Sequence, residues 1–241
     1  MIVQGDGMSM KRSLTLLAIV TVAMSFLVVG CGPKIYIDGT YKGVSQVDDR
    51  GYAVAEVTVK NDKITEVKLS EFTVYGEEKN LDTYEYEEAK KANEELSKQL
   101  IGKQDAAVDV YTGATASSKK YIAAVSFALE KAKQKPGIET MYFDGTFLGK
   151  SPVENGGYGI ALVTIENDMI TEVRLLEYDE KNERRDYPTY SYTPVLQAKE
   201  KMEKAFVEKN SAEVEGFTGA TISSRRWIDA VSDALNAARV R

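Results

Sequence analysis

Histidine is absent from the 241 residues, and cysteine occurs once, at Cys31. Without imidazole there is no His-ligated zinc, no haem attached through Cys-x-x-Cys-His, and no dyad or triad that relies on histidine as base. A single thiol excludes an intrachain disulfide and a cysteine-ligated iron–sulfur cluster. An excess of positive charge is also missing: 31 Lys and Arg stand against 37 Asp and Glu, a formal net charge of −6. With no basic stripe either, the chain does not read as a nucleic-acid binder. Chemistry must come from carboxylates, hydroxyls, lysines or a borrowed cofactor.

One long apolar run is present, from Leu14 to Val29, preceded by the basic Met10-Lys11-Arg12 and ending at Val28-Val29-Gly30-Cys31. Small residues before a lone cysteine are what a lipoprotein signal peptidase accepts, and the segment resembles a bacterial lipobox, with Val28 where Leu is usual. Residues 1–30 are therefore expected to be a lipoprotein signal peptide and Cys31 the lipidation site. The alternative is an uncleaved anchor, although 16 apolar residues fall short of the roughly 20 that span a bilayer. Either reading puts the rest of the chain on the extracytoplasmic face of the cell membrane.

Sliding the sequence against itself reveals an internal repeat. At an offset of 106 residues, Lys34 to Lys135 aligns with Thr140 to Arg241 without a gap, and 43 of the 102 pairs are identical. A period this long is a duplicated domain, not a solenoid unit. The expected domains are 31–136 and 137–241, with Pro136-Gly137 breaking the chain between them.

Each copy reads alike. Strand character begins around Gly39-Thr40-Tyr41, an alternating run extends from Tyr52 to Val59, and Asn61-Asp62 makes a tight turn into Ile64 to Leu69. A helix follows, Tyr84 to Leu100 in the first copy; in the second, Thr193-Pro194 supplies an N-cap and N1 proline for a helix through Phe206. A short β-like stretch, a Thr-Gly-Ala-Thr turn and a last helix close each copy, with Ile122, Val125 and Leu129, or Ile228, Val231 and Leu235, facing inward. The predicted fold class is α+β: two tandem copies of a small antiparallel sheet with helices packed on one face.

The turn carries the chemistry. Gly113 and Gly219 permit a positive φ, Ala114 and Ala220 leave the approach open, and Thr115 and Thr221 stand at or beside the N-cap of the last helix. A helix start offers unpaired N–H groups and partial positive charge to an anion. Ser117 and Ser118 add hydroxyls, as do Ser223 and Ser224. Lys119-Lys120 and Arg225-Arg226 place cations where the helix dipole opposes them by about 0.3–1 kcal/mol each, a penalty that a bound phosphate would reverse. Each feature taken alone is equally what ordinary capping and a solvated surface produce.

Asp109-Val110-Tyr111-Thr112-Gly113-Ala114-Thr115 resembles the Asp-x-x-(Ser/Thr)-Gly-Ala-Thr flavinylation motif of FMN-binding domains. Such domains occur in peripheral subunits of sodium-pumping quinone reductase and Rnf complexes, and in the two-domain lipoprotein of Gram-positive extracellular electron transfer. The resemblance spans the whole mature chain. It implies that a flavin transferase, with FAD as donor, attaches FMN by phosphoester to the final threonine. Carried over, two covalent FMN groups sit on Thr115 and Thr221, with Asp109, Thr112, Gly113, Ala114 and Ser118 around the first. Glu215, Thr218, Gly219, Ala220 and Ser224 surround the second, where Glu215 replaces the motif's Asp.

Electrons are then expected to arrive from a membrane NADH or quinol oxidoreductase and to leave for a soluble or mineral acceptor outside the cell. Tyr84, Tyr86, Tyr190 and Tyr192 are candidate flavin contacts, with a weaker claim for Tyr121 and Trp227. Glu71 and Glu177 coincide across the copies and read as solvated strand ends. The competing reading is a lipid-anchored ligand-binding or interaction module without redox chemistry.

Overall fold

Small apolar residues at every second position of the run from Tyr52 to Lys60 fix the first sheet: Ala53, Ala55, Val57 and Val59 are fully buried and their neighbours are not. In a computed structural model, which describes Met1 and residues 33–241, three antiparallel strands pair in the order β1 (Gly39–Val44), β2 (Tyr52–Lys60), β3 (Lys63–Phe72). The leader through Gly30, and the proposed lipidation site Cys31, lie outside the described residues. Asn61 and Asp62 both have positive φ, 52° and 62°, as a two-residue hairpin turn of matching twist requires. The helices α1 (Glu87–Lys103) and α2 (Thr115–Ala132) lie over one face of the sheet, α2 against β1 and β2 and α1 against β3.

The second copy repeats this plan. Its strands are β4 (Gly145–Lys150), β5 (Gly157–Glu166) and β6 (Met169–Asp179), followed by a 3-10 turn at Tyr187–Thr189 and the helices α3 (Thr193–Lys209) and α4 (Thr221–Ala238). Even the irregularity recurs, between Thr58 and Val59 in one sheet and Thr164 and Ile165 in the other. The fold is α+β with a tandem repeat. No helix among the described residues is long and apolar enough to cross a membrane.

Element ends differ from the sequence reading for local reasons. Helix α1 begins at Glu87, not Tyr84: Tyr86 is its N-cap, with non-helical φ and ψ of −93° and 89°, and its hydroxyl donates to the Gly113 carbonyl at 2.5 Å. It runs on to Lys103, where left-handed Gln104 closes it and its side-chain amide bridges the N–H and C=O of Ile64. In α3 the N-cap is Tyr192, which moves Thr193 and Pro194 inside the first turn, and the helix continues to Lys209. The stretch before each Thr-Gly-Ala-Thr turn forms no strand. Val125, Leu129, Val231 and Leu235 are buried as the spacing predicts, whereas Ile122 and Ile228 are half-buried.

The two copies are packed together within Ile35–Arg241. Val47, Tyr52 and Tyr75 of the first pack on Leu148, Tyr158, Ile160, Leu176 and Tyr178 of the second, so the second sheet is covered on both faces. Phe127 of α2 stacks on Phe143 with centroids 4.0 Å apart.

Gly43 and its counterpart Gly149 explain how closely helix and strand approach. A Cβ on Gly43 would lie 1.9 Å from the Ala124 carbonyl oxygen, and one on Gly149 2.0 Å from that of Ala230. Both obstacles are helix backbone and cannot turn aside. Gly43→Ala is therefore expected to destabilise the protein by about 1–3 kcal/mol or more, the cost of overpacking a core. A urea melt checks this, and an unchanged midpoint would contradict the packing described.

Candidate functional site

Each Thr-Gly-Ala-Thr segment turns sharply into a long helix. Gly113 and Gly219 adopt φ of 97° and 88°, which residues with a Cβ rarely reach. Ala114 and Ala220 take the N-cap positions, and Thr115 and Thr221 are the first helical residues, exposed. No side chain caps either helix. Alanine is a poor N-cap, costing about 1 kcal/mol relative to Ser, Thr, Asp or Asn. The same choice at both copies leaves two helix starts whose N–H groups lack the usual acceptor.

A hydroxyl from the preceding helix steadies each turn. Tyr86 donates to the Gly113 carbonyl, and Tyr192 to that of Gly219 at 3.0 Å. Ser118 and Ser224 brace the segment leading into the turn, their buried hydroxyls accepting from the N–H of Tyr111 and Phe217 at 3.0 and 2.9 Å. The cleft serines are instead Ser117 and Ser223.

A cleft opens at each helix start, about 700 Å³ in the first copy and 410 Å³ in the second, both in the range of small-molecule sites. Gly113, Ala114 and Thr115 line the first with Tyr84 and Tyr86; Gly219, Ala220 and Thr221 line the second with Tyr190 and Tyr192. The structure thus brings the turn and all four candidate tyrosines together. Asp109, Thr112, Glu215 and Thr218 are exposed and do not line the clefts. Tyr121 and Trp227 are fully buried in the cores behind them, which removes their claim as flavin contacts.

The largest departure from the sequence reading concerns Glu71 and Glu177. They are 3% and 1% exposed, not solvated strand ends. In β3 the core-facing positions are Val67, Leu69 and Glu71, and in β6 Val173, Leu175 and Glu177, so strand alternation carries both carboxylates inward. A loop then folds back on the strand, with the N–H of Lys79 bonding the Glu71 carbonyl at 2.7 Å and that of Arg185 the Glu177 carbonyl at 2.9 Å.

Two cations meet each acid as a result. Lys79 and Lys120 reach the Glu71 carboxylate at 2.8 and 2.9 Å. Arg185 and Arg226 reach that of Glu177, the latter at 3.1 Å, with Ser223 and Tyr187 donating at 3.1 and 3.2 Å. Burial works to raise the Glu71 pKa, but hydrogen bonds from Lys79, Lys120 and Ser117 outweigh it and hold the group below its ordinary value. The outer cation also covers a tyrosine: Lys79 lies 5.7 Å from the ring centre of Tyr84, and Arg185 4.7 Å from that of Tyr190. Lys79, Lys120 and Glu71 line the first cleft, and Arg185 and Arg226 the second. The Nε of Arg226 is buried with no partner among the described residues.

The FMN-binding domain family model matches residues 50–130 and again 157–236, once per copy. The chain belongs to the FMN-binding domain family. It is an FMN-binding flavoprotein with two copies of the domain, as the resemblance of its turn implied. A search of curated proteins finds no match. Among solved structures, a Clostridium perfringens protein is similar at 32% identity, over 41% of this chain and 89% of that one, with a TM-score of 0.35.

The residues present fit a flavin nucleotide. An uncapped helix start with adjacent cations suits its phosphate, the tyrosines suit a flat aromatic ring, and Arg226 retains an unused buried donor.

Proposed function

We propose that the protein is a lipid-tethered, extracytoplasmic electron carrier holding two FMN groups through phosphoesters to Thr115 and Thr221. The reading rests on one observation above others: in both copies an exposed threonine opens an uncapped helix at the mouth of a cation-lined cleft. A modifying enzyme needs the hydroxyl exposed, and the attached phosphate supplies the acceptor that Ala114 and Ala220 withhold from the helix N–H groups.

Bound flavin supplies the redox chemistry, accepting electrons singly or in pairs. The chain's own residues hold and orient it. The turn glycines bring the backbone close, Tyr86 and Tyr192 fix the turn, and Tyr84 and Tyr190 offer ring faces at the rim. Attachment prevents loss of the cofactor by dilution outside the cell, which fits a chain tethered through Cys31. A flavin transferase using FAD loads both sites, a membrane NADH or quinol oxidoreductase is the donor, and a soluble or mineral oxidant outside the cell is the acceptor.

The test is reduction followed by reoxidation. Loaded protein bleached with dithionite, freed of excess reductant and mixed anaerobically with a soluble ferric chelate should recover its flavin absorbance. A loaded protein that binds flavin yet stays reduced would point to the binding-module reading instead.

A further inference from the structure

Buried charges recur beneath the two clefts. Each copy buries one carboxylate with two cations, Glu71 with Lys79 and Lys120, and Glu177 with Arg185 and Arg226. Between the copies both lysines become arginines while the acids stay identical. What the duplication has kept is the charge pattern, one negative and two positive, and not the side chains. Such a group is expensive to bury and is no simple route to stability, since well-packed apolar residues do as well or better. Its cations line the same clefts as Thr115 and Thr221.

We propose that each acid with its two cations acts as one unit of net positive charge on the cleft wall, favouring the reduced state of the flavin bound there. Glu71 and Glu177 serve as positioning residues that hold the cations against it. This rests on the reading that FMN is bound at Thr115 and Thr221. In a dithionite titration two electrons pass from dithionite, oxidised to sulfite, to the ring, and one proton passes from solvent. The ring gains one unit of negative charge, and a fixed positive charge beside it in a poorly screened site stabilises that product over the oxidised form. Other charges face the unit. Asp48 lies 3.4 Å from Lys120, and Arg50 lines the first cleft. Arg226 also meets the carbonyl oxygens of Glu154 and Asn155.

The sign of the charge removed makes the test decisive. In a Thr221→Ala background, only the first site carries flavin. Glu71→Gln removes a negative charge and should shift the oxidised-to-reduced ratio at fixed potential about tenfold toward reduced, or 30 mV for a two-electron couple. Lys79→Gln removes a positive charge, leaves Lys120 on the acid, and should shift the ratio by a similar factor toward oxidised. Glu177→Gln in a Thr115→Ala background should behave as Glu71→Gln does. Shifts of one sign in both kinds of variant, or none, with lowered melting temperatures would assign the unit a structural role only and overturn the inference. Should Glu71→Gln fail to fold, Lys79→Gln decides alone, because that side chain is at the cleft edge. Intact mass taken before titration separates the two readings: no adduct overturns covalent attachment and this inference together, while an adduct without opposed shifts overturns the inference only.

Discussion

Thr115→Ala, produced with a flavin transferase and FAD, should lose the flavin of the first copy completely and keep that of the second, halving the denaturation-resistant flavin absorbance; Thr221→Ala should do the converse. The contrast is clean because neither threonine supports the fold. Both are exposed first residues of their helices, and neither caps its helix. Surface changes of this kind alter stability by less than about 0.5 kcal/mol. A lost adduct therefore reports chemistry at the hydroxyl. Thr115→Ser keeps an oxygen at the same position and should retain flavin where alanine does not. Retention of full absorbance in Thr115→Ala would place the attachment elsewhere.

Glu177→Leu should be among the most destabilising single substitutions in the chain. It leaves Arg226, only 5% exposed, and Arg185 facing one another without a counter-charge, and removes the acceptor of Ser223 and Tyr187. Breaking a buried ion pair from one side costs about 3–5 kcal/mol, a large share of the roughly 5–15 kcal/mol that keeps a domain folded. A urea midpoint shift corresponding to less than about 1 kcal/mol would contradict the geometry. The acid in the first copy adds a pH signature. Its folded pKa is held below the ordinary carboxylate value, so its contribution is complete above that ordinary value and lost as pH falls through the folded pKa. Glu71→Gln should accordingly flatten the acid limb of stability against pH.

Much of this is legible in the sequence. The repeat, the hairpins around Asn61-Asp62 and Asn167-Asp168, and the buried stripe of each last helix follow from short-range patterns that tertiary packing reinforces. The helix starts after Tyr86 and Tyr192 are not legible there, since each tyrosine hydroxyl bonds a turn 27 residues away, a tertiary contact that local propensity does not register. The burial of Glu71 and Glu177 does have a sequence signal: Val67-Leu69-Glu71 and Val173-Leu175-Glu177 share one strand parity, and the aligned copies keep charge at Lys79 and Arg185 and at Lys120 and Arg226. A carboxylate at an inward position is credible only once its partners are known, and those come from a folded-back loop and a distant helix. The absent N-cap was equally hidden, since Thr115 looks like a cap until the helix is seen to start on it.

The central claim, two flavins held by two threonines, is tested most directly by the intact mass of the wild-type chain made with a competent flavin transferase, with the adducts then mapped to peptides. Two FMN adducts, one on the peptide containing Thr115 and one on that containing Thr221, are predicted. A colourless chain of unmodified mass, or adducts on other residues, would contradict it.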